Sequence, residues 1–302
     1  MRGRPGGGPN QGNPGCDNVI MPWIDLDGAV NVRDLGGLPT RDGRQTVPGV
    51  LLRSDNLQDL SPADVTALVD EYGLTTVIDL RSVQESEAEG PSPLDAVPSV
   101  RHLRLSVLPE LGERTDVVAE ALLLKRERDR SRYPDDVMCG HYLGYLEERP
   151  DSVTDAVRAV ADSEGAAVVH CAAGKDRTGV VVALALTAVG VPAEDVVADY
   201  ALTGERIEAV LRRLMSSSTY EGDLKGSDID RHRPRPETMK AFLEQVEARY
   251  GGVTQWLGDH GFGQADLERL RARLVTAAAA SEPPAGDAPA SDAASDPATG
   301  DS

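Results

Sequence analysis

Ten residues near the middle of the chain have the types and spacing of a nucleophilic anion site: His170-Cys171-Ala172-Ala173-Gly174-Lys175-Asp176-Arg177-Thr178-Gly179. Small residues at Ala172, Ala173 and Gly174 let successive backbone N–H groups turn inward around an anion. The helix expected after them aims its positive end at the same point. A thiol at such a point, here Cys171, ionises more readily and attacks as the thiolate. Arg177 comes six residues later and can return over the loop, its planar fork matching two oxygens of a phosphoryl group. Thr178 can offer a hydroxyl to the sulfur when it leaves, and Lys175 adds local positive charge. The expected phosphate-binding set is therefore Ala172, Ala173, Gly174, Lys175, Asp176, Arg177 and Thr178. The implied chemistry is in-line attack of Cys171 on phosphorus, followed by hydrolysis of the phosphocysteine by water. It requires no metal or other cofactor, because Arg177 and the backbone amides carry the developing charge.

The leaving oxygen needs a proton, so a carboxylic acid is expected nearby. No Trp-Pro-Asp motif is present. Asp79 closes the strand Thr76-Val77-Ile78, and in open α/β sheets sites lie beyond the carboxyl ends of strands. It shares an edge with Cys171 if the two strands are neighbours. Its competing reading is an ion pair with Arg81. Asp176, inside the loop, ranks second; Asp135 or Asp136, in Tyr133-Pro134-Asp135-Asp136, ranks third.

These residues need a strand before the loop and a helix after it. Ala166 to Val169 reads as a buried strand, and Thr178 to Val189 as an apolar helix stopped by Gly190 and Pro192. Val50 to Arg53 and Thr75 to Leu80 are further strands, and Val100 to Leu105 alternates like an edge strand. Ser61-Pro62-Ala63-Asp64 starts a helix that runs to about Tyr72 and ends at Gly73. Further helices are expected over Ala119 to Arg132, Cys139 to Glu148, Asp151 to Ala161, Ala193 to Tyr200, Gly204 to Met215, Pro236 to Tyr250 and Gln264 to Leu274. The alternation predicts an α/β domain with a mostly parallel central sheet flanked by helices. Residues 1–18 are Gly/Pro-rich, and residues 277–302 are Ala, Pro, Asp and Ser with few large apolar side chains. Both read as disordered tails around one domain spanning 19–276.

Hydrophobic residues make up 40% of the chain, enough for a sizeable core, yet no apolar run reaches the roughly 18 residues that span a bilayer. The N-terminus has no apolar stretch of the secretory kind, so a cytoplasmic location is expected, with signal-less export still open. A formal charge of -19 argues against nucleic acid as a partner. It also means that positive charge must be concentrated locally to receive an anionic substrate. The three cysteines, Cys16, Cys139 and Cys171, and the five histidines show no metal-binding spacing.

Beyond the loop, the chain resembles the bacterial tyrosine phosphatase family typified by mycobacterial tyrosine phosphatase B. The likeness rests on Asn31-Val32-Arg33-Asp34-Leu35-Gly36-Gly37, Leu52-Arg53-Ser54 with Leu57, Asp79-Leu80-Arg81-Ser82 with Glu85, the Cys171 to Gly179 loop, and Asp199-Tyr200. It implies a cysteine phosphatase fold with a helical lid, expected over residues 117–146. It also implies Asp79 as the acid, and protein-tyrosine phosphatase activity that can extend to phosphoserine/threonine or phosphoinositides. The alternatives are an inositol phosphate or phosphoinositide phosphatase, in which Lys175 meets a second phosphate, and more remotely a non-catalytic phospho-binding adaptor.

Overall fold

The computed structural model describes residues 23–109, 136–224 and 228–277. Five strands form one sheet: β1 (Arg33–Asp34), β2 (Leu51–Ser54), β3 (Leu74–Asp79), β4 (Arg101–Arg104) and β5 (Ala166–His170). Their order is β1-β2-β5-β3-β4, with β1 antiparallel to β2 and every other neighbouring pair parallel. Strand β5 is central and buried along its whole length. A parallel strand covered on both faces explains why its sequence is a continuous apolar run. Strand β4 is the edge, with Arg101 and Arg104 exposed, as its alternation predicts.

The helices are α1 (Pro62–Thr66), α2 (Val83–Glu89), α3 (Val137–Glu148), α4 (Pro150–Ala161), α5 (Asp176–Ala188), α6 (Ala193–Ser216), α7 (Glu221–Leu224), α8 (Pro236–Tyr250), α9 (Val253–Asp259) and α10 (Gln264–Leu274). Successive residues of β5 feed opposite layers. Val169 joins Ile78, Leu143, Val157 and Leu184 on one face, while Val168 joins Leu52, Val77, Leu68 and Leu94 on the other. Burying each such side chain contributes about 1.5–3 kcal/mol. The loop that follows β5 is therefore anchored in the core.

The structure differs from the sequence reading at several elements, and β1, α7 and α9 were not expected. The two helices expected on either side of Gly204 are one helix of 24 residues. The buried positions Val196, Tyr200, Thr203, Ile207, Val210 and Leu214 keep helical spacing straight through it. A mid-helix glycine costs only about 1 kcal/mol, so packing prevails. The helix starting at Ser61 continues past α1 as a π-helical turn, Ala67–Glu71, before Gly73 turns the chain at φ 65°. Helix α2 was not expected, although Ser82 and Glu85 form the capping box that signals its start.

The helix expected over Ala119 to Arg132 and the first part of the expected lid fall outside the described residues, as do residues 1–18 and 278–302. The rest of that lid segment is α3, whose Tyr142, Leu143 and Leu146 are core residues. Among the described residues, no helix is long and apolar enough to cross a membrane.

Candidate active site

The register of the sheet brings Ser54, Asp79 and His170 side by side at the carboxyl ends of β2, β3 and β5. The expected neighbourhood of Asp79 and the Cys171 loop is thus realised. Past His170 the chain turns tightly, and its carbonyls are tied outward one after another. The His170 carbonyl accepts from the Leu80 amide and that of Ala172 from the Asn56 amide, both at 3.0 Å. Asn31 Nδ2 donates to the carbonyls of Ala173 (3.0 Å) and Gly174 (3.2 Å), and Arg53 Nη2 donates to Gly174 (2.6 Å). Each peptide N–H points opposite its carbonyl, so tying the carbonyls outward turns the following amides toward the centre of the loop. Gly174 makes this possible. It sits at φ +64°, and a Cβ there would lie 2.4 Å from the Ser54 carbonyl oxygen.

Helix α5 begins at Asp176, directly after the loop, so its N-terminus faces the same centre. Cys171 is 2% exposed. Arg177 lies on the first turn of α5, and Glu85 holds it with both oxygens: Nη1 donates to Oε2 at 2.6 Å and Nη2 to Oε1 at 2.9 Å. Burial alone would lower the Arg177 pKa, but the facing Cys171 and Glu85 more than offset that and keep the guanidinium firmly charged. The Thr178 hydroxyl is fully buried and makes no hydrogen bond, so the expected bond to the Cys171 sulfur is not formed here. Cys139, on α3, is also a free buried thiol, pushed up to about 11 by burial. It stays protonated at neutral pH. Cys16 lies outside the described residues.

The acid candidates separate. Arg81 grips Asp79 through Nε (2.9 Å) and Nη2 (2.7 Å), and the Arg81 amide (3.0 Å) and Ser86 hydroxyl (3.2 Å) add to it. Burial would raise the Asp79 pKa, but the charges of His170 and Arg81 and these hydrogen bonds hold it well below the usual carboxylate range. The ion pair weighed against the acid role is therefore present. His170 Nε2 lies 3.7 Å from Asp79, and burial pushes the imidazole down to about 4, so it is neutral at neutral pH. Asp176 accepts from the Tyr142 hydroxyl at 2.5 Å, and Tyr142 meets Tyr200 at 2.8 Å. Asp136 is the N-cap of α3, accepting from the Cys139 amide, and Asp135 lies outside the described residues. Lys175 is folded back: its Nζ donates to the His232 carbonyl at 2.7 Å and lies 3.5 Å from Asp176.

Below the loop is a buried ionic cluster. Asp199 on α6 receives Arg33 Nε at 2.8 Å on one oxygen and Arg53 on the other. Arg33 also donates to Asn31 at 2.7 Å, so the cluster runs from α6 through β1 and β2 to the loop carbonyls. Burial and the neighbouring Arg53 lower the Arg33 pKa to about 10, against the pull of Asp199. Asn31, Arg33, Arg53 and Asp199 carried the family likeness in the sequence but had no role assigned from their residue types. Glu85 was passed over in the same way. The capping box at Ser82 was the available signal for its helix, though nothing in the residue types pointed Glu85 at Arg177.

Among the described residues, no group of three or more His, Cys, Asp or Glu could hold a metal ion. The sequence matches a family model described as "Tyrosine phosphatase family" over residues 24–276. It is 28% identical to the Triple specificity protein phosphatase PtpB of Mycobacterium tuberculosis over 279 residues, 83% of this chain and 98% of the relative. It is 27% identical to a tyrosine-protein phosphatase of Nostoc commune, covering 74% of this chain and 73% of the relative. Identity to a putative tyrosine-protein phosphatase of Cupriavidus necator is 29%, covering 83% and 88%. A match over nearly the whole described chain, on a mostly parallel sheet that ends in this loop, makes the chain a member of the tyrosine phosphatase family.

Proposed function

We propose that this phosphatase hydrolyses phosphotyrosine in proteins through a phosphocysteine on Cys171, with Arg177 as the phosphate clamp. The observation that carries the reading is the loop itself. Its carbonyls are tied outward by Asn31, Arg53 and Asn56, and its arginine is held ready by Glu85. Such a site is organised before substrate arrives, so little reorganisation is left for the transition state. The thiolate attacks phosphorus while the alcohol departs with a proton. Water then attacks the phosphocysteine and releases phosphate and the thiolate.

The leaving-group proton is assigned to Asp79, from its position beside His170 at the sheet edge. This assignment requires bound substrate to draw Arg81 away, because a carboxylate held by Arg81 has no proton to give. That same pair favours a second reading in which Asp176, held by the neutral Tyr142 hydroxyl, supplies the proton. The relative named for triple specificity makes phosphoserine/threonine and phosphoinositide turnover part of the proposal. The test is turnover of phosphotyrosine peptide, phosphoserine peptide and phosphoinositide side by side. Dominant lipid turnover overturns the protein-substrate reading.

A further inference from the structure

Helix α6 ends at Ser216, and the chain turns back toward the catalytic loop. Ser217 organises the turn: its hydroxyl accepts from the Thr219 amide at 3.1 Å and bonds the Glu89 carboxylate, which Asn56 holds from the other side at 2.7 Å. The Ser217 carbonyl accepts from the amides of Tyr220 and Glu221. Tyr220 is thereby pressed down at the start of α7. Its ring packs with Ala172 of the loop and with Val210 and Leu214 of α6, and only 9% of the residue is exposed.

The hydroxyl end of this tyrosine lies in an unusual place. The charges acting on it are those of Glu85, Arg81, Arg177 and Glu89: the phosphate clamp, the carboxylate that holds it, and two charged neighbours of the site. Yet the hydroxyl makes no hydrogen bond. Arg81 lies close to the phenol, but a guanidinium can only donate, so it offers the Tyr220 O–H no acceptor. Burial and the neighbouring Glu85 carboxylate push the phenol pKa up, so it is a protonated donor at neutral pH. A buried donor without an acceptor is costly and rare. The Thr178 hydroxyl, fully buried in the loop, is unpartnered in the same way.

We infer that the Tyr220 hydroxyl is a substrate-binding group: it donates a hydrogen bond to a phosphoryl oxygen held in the Cys171–Arg177 loop. The inference rests on the reading of that loop as the phosphate site. It adds a neutral donor, delivered from the end of α6, to the charged and backbone donors of the loop. Because the donor is neutral and acts on the phosphoryl group, it serves every phosphomonoester alike.

The test is Tyr220→Phe, which keeps the ring and its packing and removes the unpartnered hydroxyl. Since that hydroxyl donates to no protein group, the melting temperature changes little. Vanadate and inorganic phosphate bind about ten- to a hundredfold more weakly, the loss expected for a hydrogen bond to a charged group. The kcat/KM for p-nitrophenyl phosphate and for phosphotyrosine peptide falls by a similar factor. Unchanged vanadate affinity in Tyr220→Phe overturns the inference, and a lowered melting temperature with unchanged affinity assigns the hydroxyl to structure instead. Wild-type protein that binds neither vanadate nor phosphate overturns the loop reading itself, an outcome distinct from the other two.

Discussion

Arg177 and Glu85 meet fork to fork, with two parallel bonds of 2.6 and 2.9 Å between guanidinium and carboxylate. Glu85 Oε2 also accepts from the Ser82 amide at 2.9 Å, so one carboxylate caps α2 and aims the phosphate clamp. Glu85→Gln can keep only one of the two acceptors. We expect kcat/KM to fall about tenfold, less than the 10²–10³-fold cost of losing a transition-state donor outright. Weakened vanadate binding measured alongside assigns the loss to the clamp, and full activity removes Glu85 from that role.

Gly174→Ala tests the turn of the loop. A Cβ at φ +64° and 2.4 Å from the Ser54 carbonyl forces the loop off β2. We expect near-complete loss of turnover and destabilisation of about 1–3 kcal/mol, read by denaturant unfolding. An active, stable Gly174→Ala contradicts the loop geometry.

Asp199→Ala leaves Arg33 and Arg53 buried without their shared carboxylate. Removing one partner from a buried ionic cluster costs about 3–5 kcal/mol. The same change releases the arm that holds Gly174, so activity should fall even where the variant remains folded. Unfolding curves and kcat measured below the transition separate the two effects.

Stability should depend on His170 in a defined pH window. Its folded pKa is about 4, against about 6.5 unfolded, so the unfolded state takes up the proton first as pH falls. The stability contribution is complete above pH 6.5, declines from there, and is lost as pH reaches about 4. The loss is about 3 kcal/mol. The paired carboxylates Asp79, Asp199 and Glu85 have pKa values lowered from 3.8, 3.8 and 4.5, so their contribution is present above those values and is lost only as pH falls below them. Unfolding at pH 7.5, 6 and 5 measures the slope, and His170→Gln should flatten it.

How much of this was legible in the sequence follows from the range of each interaction. The catalytic loop is local. Strand, nucleophile, small residues, arginine and helix lie within about two dozen consecutive residues, so types and spacing were enough. The parallel sheet was legible for the same reason, through the apolar runs of β3 and β5. The supports were not, because they are distant contacts. Asn31, Arg53 and Glu85 reach the loop from residues 92–143 positions away in the chain. The Arg81 pair on Asp79 was weighed from the sequence, but its two-pronged geometry depends on the turn after β3.

The leaving group decides between the acid candidates. Removing a general acid costs about 10²–10⁴-fold where the leaving oxygen is strongly basic, and little where it departs unaided. Asp79→Asn should therefore slow phosphoserine peptide far more than p-nitrophenyl phosphate. If Asp176→Asn shows that split and Asp79→Asn does not, the proton comes from Asp176.

The central claim is a covalent phosphocysteine, and acid quenching during turnover tests it most directly. Mass analysis of the quenched wild-type protein should find one phosphoryl group on the peptide that carries Cys171, and none after Cys171→Ser, which should also abolish turnover. A phosphoryl group on another residue, or undiminished turnover by Cys171→Ser, would contradict the account.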